Sequence, residues 1–169
     1  MKKVICTALI ILFSVIFIAL VFGVFQFMLA GDLELRYEFG FDKGDYIIVD
    51  EYDSHGGFQG EGSYRLILDC SQSREKALKQ VADWNRLPLS ENLRLIMYGG
   101  EKDGVEYAYD LASDAKIPEI DDGFYKFINR DPDAADKYGD DIFSAHSPNF
   151  SLAVYDLDAD ILYYYKYDT

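Results

Sequence analysis

From Val4 to Leu29 the chain reads VICTALIILFSVIFIALVFGVFQFML, with no charged side chain and with Gln26 as its strongly polar residue. As a helix these residues would extend about 39 Å at roughly 1.5 Å per residue. A hydrocarbon core is about 30 Å thick. The pattern predicts a single transmembrane helix, with residues 1–30 as an N-terminal anchor and residues 4–29 against lipid. Beyond it the apolar positions recur in short blocks. Leu33, Leu35, Tyr37 and Phe39 alternate with Glu34, Arg36 and Glu38, which predicts a half-buried strand. Tyr46–Asp53 and Ser63–Cys70 predict a hairpin across the glycine-rich Ser54–Gly62. Ala77, Leu78, Val81 and Trp84 fall at helical spacing, so a helix is expected over 71–85, capped by Ser71 or Ser73 and stopped by Pro88.

Leu93–Tyr98 reads as another strand, with Val105–Asp110 returning beside it. Asp121 or Asp122 is expected to cap a short helix carrying Phe124, Phe127 and Ile128. Phe150–Tyr155 and Ile161–Tyr167 predict a second hairpin across Asp156–Asp160, with Ile161, Tyr163, Tyr165 and Tyr167 on one face. A strand so close to the chain end is expected to be tied into a sheet. The fold class expected is α+β: a mostly antiparallel sheet of hairpins with one main packed helix, preceded by the membrane helix. Residues 31–169 suit one such domain.

Charge then orients the chain. Lys2 and Lys3 precede the apolar run, and Asp32 and Glu34 follow it. Positive flanks stay cytoplasmic, so the N-terminus is expected inside and residues 31–169 outside. The alternative is secretion after signal cleavage. The apolar run exceeds the about 7–15 residues of a signal peptide, and Met28 stands where a small residue is wanted. All 30 acidic residues and 14 of the 16 basic ones lie beyond residue 30, a formal charge of about −16. A phosphate backbone needs Lys and Arg, so nucleic acid is not an expected partner. Fourteen Tyr and twelve Phe argue for a packed domain, not a disordered tail. Cys6 lies in the anchor, so Cys70 lacks a partner outside and is expected to be a buried, inert thiol.

Three stretches invite chemistry. The loop Asp53-Ser-His-Gly-Gly-Phe-Gln-Gly-Glu-Gly62 is longer than a hairpin turn needs, and His55, Gly56, Gly57 and Phe58 are its ligand-binding candidates. Its glycines lack phosphate-loop spacing and it has no lysine. Glu51, Asp53 and His55, at i, i+2 and i+4, are candidates for a divalent metal, against the plainer reading of a salt-bridged face in which Arg65 pairs with Glu51 or Asp53. Asp156, Asp158 and Asp160 begin like a calcium loop, but Ile161 and Tyr167 stand where such a loop needs Gly and Glu, which favours a turn. His146 and His55 each neighbour a serine, without a nucleophile elbow, so no catalytic residue is assigned.

The Asp53–Gly62 loop and the ending N-F-S-L-A-V-Y-D…L-Y-Y-Y-K-Y-D-T resemble a group of small uncharacterised bacterial proteins with an N-terminal anchor and a similar His-Gly-Gly-Phe loop. The resemblance covers most of 31–169 and implies a bacterial single-pass protein with a folded domain. It implies no activity. The function expected is binding of a protein or peptide. The alternatives are a small-ligand or metal module centred on His55, and an enzyme of unknown class.

Overall fold

The computed structural model describes residues 12–21, 23, 33–56, 60–144 and 147–169. Most of the expected anchor, residues 4–11, 22 and 24–29, lies outside these, as do Gly57, Phe58 and His146. Residues 12–21 are helical, and among the described residues no helix is long and apolar enough to cross a membrane.

The domain is α+β. Strands β1 (Ile47–Asp53), β2 (Gly62–Asp69), β3 (Asn85–Arg86), β6 (Gly123–Asn129), β7 (Phe150–Asp156) and β8 (Ile161–Asp168) form one antiparallel sheet in the order β1-β2-β8-β7-β6-β3. Strands β4 (Gly100–Lys102) and β5 (Val105–Tyr107) form a separate small hairpin. The hairpins expected over 46–70 and 150–167 are present, while the returning strand expected over 105–110 is β5, which pairs with Gly100–Lys102 and not with Leu93–Tyr98. Strand β8 lies between β2 and β7, tied into the sheet on both sides.

Both faces of the sheet are covered, which the single expected helix did not anticipate. One face carries Leu66 and Leu68 of β2, Ala153 and Tyr155 of β7, and Leu162 and Tyr164 of β8. Against it pack α1 (residues 33–39) and α2 (Arg74–Val81), through Leu35, Phe39, Ala77 and Val81. The other face carries Tyr125 and Phe127, Phe150, Leu152 and Val154, and Tyr165. It is covered by α3 (Glu91–Tyr98) and α4 (Leu111–Ala115). Tyr163 and Tyr167 are partly buried on this same side, as the alternation predicted.

Three expected elements are corrected. Residues 33–39 are a helix, not a strand. Leu35 and Phe39 stack one turn apart into the core, while Tyr37, which strand alternation would bury, is 74% exposed. Gly40 (φ +85°) ends the helix, its N–H donating to Arg36 O at 3.1 Å and that of Phe41 to Leu35 O at 3.2 Å. Leu93–Tyr98 belongs to helix α3. Ser90 Oγ accepts from the Leu93 N–H at 3.4 Å, and Gly99 closes the far end at φ +72°. Residues 124–128 are strand, not helix, because β6 is covered on both faces. Helix α2 is also shorter than expected, preceded by a 3₁₀ turn at Ser71–Ser73. Ser73 Oγ donates to Asp45 O and caps no helical N–H.

Cys70 is fully buried. Burial pushes its thiol up to about 12, and the charges of Asp69, Asp160 and Asp45 add to the shift. The reactive thiolate is thereby disfavoured, as in an inert structural cysteine. In a Cys6→Ser background, iodoacetamide is expected to leave Cys70 unmodified in the native protein and to alkylate it fully in denaturant. Modification of the native thiol at the rate of the denatured one would refute this.

Candidate functional site

The base of the Asp53–Gly62 loop is fixed by sequence-local and long-range bonds together. The Ser54 N–H donates to Ser63 O at 2.9 Å and the Ser63 N–H donates to Ser54 Oγ at 2.7 Å. Gly62, at φ +151°, brings the returning strand so close that a Cβ there would stand 2.8 Å from both N and Cα of His55. Only glycine meets both demands without strain.

His55 is thereby pressed against β8. Its Nδ1 lies 2.6 Å from Asp53 Oδ1 and its Nε2 lies 2.9 Å from Asp168 Oδ2. Its side chain is 16% exposed. A carboxylate only accepts, so both contacts are hydrogen bonds together when the ring is the imidazolium; a neutral ring keeps one of them. Asp168 is shared further, with Arg130 Nη1 at 2.7 Å and Lys166 Nζ at 3.9 Å. Arg130 Nη2 donates to the Phe150 and Tyr167 carbonyls at 3.1 and 2.9 Å, which anchors it across β7 and β8. Burial of Asp168 works against its ionisation. The hydrogen bond and charge of Arg130, the His55 bond and the Lys166 charge outweigh this and hold its carboxyl below the usual range.

Of the expected ligand residues, His55 and Gly56 are described, and His55 has both ring nitrogens occupied. Glu51, Asp53 and His55 go to different partners. Glu51 Oε1 accepts from Tyr64 Oη at 2.8 Å, while Asp53 turns to His55. Arg65 takes neither Glu51 nor Asp53. It pairs with Asp50 at 2.8 Å, and Lys116 joins that carboxylate at 3.2 Å. Asp156 accepts from the N–H groups of Asp158 and Ala159 at 2.9 and 3.0 Å, a turn-forming arrangement. Asp160 (φ +56°) accepts from Tyr155 Oη at 2.9 Å and pairs with Arg74. Among the described residues no three His, Cys, Asp or Glu side chains are grouped to hold a metal ion.

Asp168 and Arg130 are the site residues that sequence reasoning did not find. Asp168 is 113 residues from His55, and no local pattern joins them. The signal was register: Asp168 pairs with Gly62, at the mouth of the loop.

A second feature stands beside this one. Strand β1 is one of the two edge strands of the sheet, β3 being the other, and it is exposed along nearly its whole length. Ile47, Ile48, Val49 and Tyr52 are all more than two-fifths exposed, Val49 reaching 61%. Among the described residues no strand pairs with its outer edge. Asp50, Glu51 and Asp53 make the same strand acidic. An open, apolar edge is where other chains add, and in β1 the pairing register shifts between Ile48 and Asp50, leaving Val49 bulged. No protein-family model, curated protein or solved structure matches the chain.

Proposed function

We propose that this protein is a single-pass membrane protein whose acidic extracytoplasmic domain binds a protein or peptide, with residues 4–29 in the bilayer and the N-terminus cytoplasmic. The uncharged run, Lys2 and Lys3 before it and the acidic flank after it support the placement. The observation that carries the binding reading is the open β1 edge. An extended partner segment adds there as a further strand, its backbone meeting the unpaired N–H and C=O groups. Ile47, Ile48 and Val49 supply apolar contact, and Glu51, which holds no cation among the described residues, favours a partner with a basic side chain.

A photo-reactive residue at Ile47 of the full chain, in native membranes, is expected to give a discrete adduct. The same probe at Asp103, in the β4–β5 turn, is expected to give none. Val49→Lys in the Ile47-probe protein should cut the adduct at least about fivefold by placing a desolvated charge in the contact. Absence of an adduct from a folded, membrane-inserted chain would sink the reading.

A further inference from the structure

We propose that a second site on this domain, distinct from the β1 edge, takes a free apolar α-amino acid. Between α3 and the segment leading into β6 lies a groove of about 260 Å³, walled by Leu87, Ile120 and Val154. Its volume falls below the roughly 300–1,000 Å³ of ordinary ligand pockets, which fits a solute about the size of one residue.

Three charged side chains line the same groove: Arg94 from α3, and Glu119 and Asp121 from the opposite segment. Arg94 is exceptional in this chain. Arg36, Arg65, Arg74, Arg86 and Arg130 each hold a carboxylate, on Asp42, Asp50, Asp160, Asp122 and Asp168 respectively. Arg94 makes no side-chain ion pair or hydrogen bond among the described residues, within a domain carrying about sixteen excess negative charges. No ion pair closes between it and Glu119 or Asp121. Both signs of charge therefore line one groove unpaired with each other, on side chains that are all exposed.

That pattern selects among ligands. A plain apolar acid satisfies Arg94 but meets Glu119 and Asp121 with nothing to offer them. A plain amine meets the reverse mismatch. An α-amino acid presents a carboxylate for the planar guanidinium, an ammonium for the two carboxylates, and a side chain for the Leu87, Ile120 and Val154 wall. A longer peptide would carry its two charged ends too far apart for so small a groove.

The test is calorimetric titration and thermal melting of the full chain in detergent micelles with millimolar L-leucine. Leucine should release or absorb heat and raise the melting midpoint by mass action. L-leucinamide lacks the carboxylate and N-acetyl-L-leucine lacks the ammonium. Each is expected to bind at least about tenfold more weakly, the loss of one charge-assisted contact. Arg94 is exposed, so Arg94→Gln should keep the ligand-free midpoint and weaken leucine at least about tenfold. The Glu119→Gln/Asp121→Asn double variant should do the same. No binding of leucine to the folded protein overturns the proposal. So does equal binding of N-acetyl-leucine, or leucine binding that Arg94→Gln leaves unchanged.

Discussion

Phe150→Ala is expected to lower the stability of the domain by about 3–5 kcal/mol, the range for deleting a buried phenylalanine. Phe150 opens β7 and is fully buried. Its ring stands 5.6 Å from that of Phe127, 6.2 Å from Tyr165 and 5.7 Å from Tyr167, centroid to centroid. Those rings come from β6 and β8, the two neighbours of β7, so a cavity there loosens three strands together. Small domains are stable by about 5–15 kcal/mol, so the loss is a large share of the total. Urea unfolding followed by tryptophan fluorescence reads it through Trp84. A loss below about 1 kcal/mol would show that the core collapses around the deletion.

Asp168→Asn should cost about 1–3 kcal/mol at neutral pH, because it leaves Arg130 mostly buried without its carboxylate. Both side chains are 21% exposed, so solvent screens the pair only in part. The pH dependence has a definite sign. The folded Asp168 carboxyl is held below its unfolded value of about 3.9, so the folded state binds fewer protons than the unfolded state near that pH. The stabilisation is fully present above the unfolded value and is lost as pH falls through the folded one. The difference between native protein and variant should shrink as pH falls below about 4. A difference that failed to shrink below about pH 4 would overturn the reading of a depressed Asp168 carboxyl.

The hairpins could be read from sequence because their strands alternate and their turns carry Gly and Asp. Tyr163, Tyr165 and Tyr167 point to one side of β8 as the two-residue period demands. The misread elements are those in which one period did not stand out. In α3, Leu93, Leu95, Ile96 and Met97 are all buried, so neither a strand nor a helix face is visible in the pattern. The flanking residues held the signal instead: Ser90 and Glu91 at the start, Gly99 at the end. In β6 the apolar residues serve two cores. Phe124 and Ile128 face one helical layer, Tyr125 and Phe127 the other, which erases alternation. In α1, LELRYEF satisfies both periods, and the exposure of Tyr37 decides between them only in three dimensions.

The candidate site was legible in the same uneven way. The glycine loop drew attention to His55, and Gly62 proves to be the glycine that the close approach requires. The partner on β8 was hidden by sequence distance. The β1 edge was hidden for another reason: an apolar strand looks the same in sequence whether it ends up inside a sheet or at its margin.

The position of β8 between β2 and β7 has a consequence for how the protein is made. Synthesis delivers the chain from its N-terminus, so the β1–β2 hairpin is made early while the strand that joins it to β7 is made late. Until Ile161–Asp168 arrives, β2 has an open edge and the meander of β6 and β7 has nothing to attach it to the hairpin. The two parts of the sheet share no strand pairing until that strand joins them. Two sheet edges, those of β2 and β7, therefore stay unfinished until the strand between them is made.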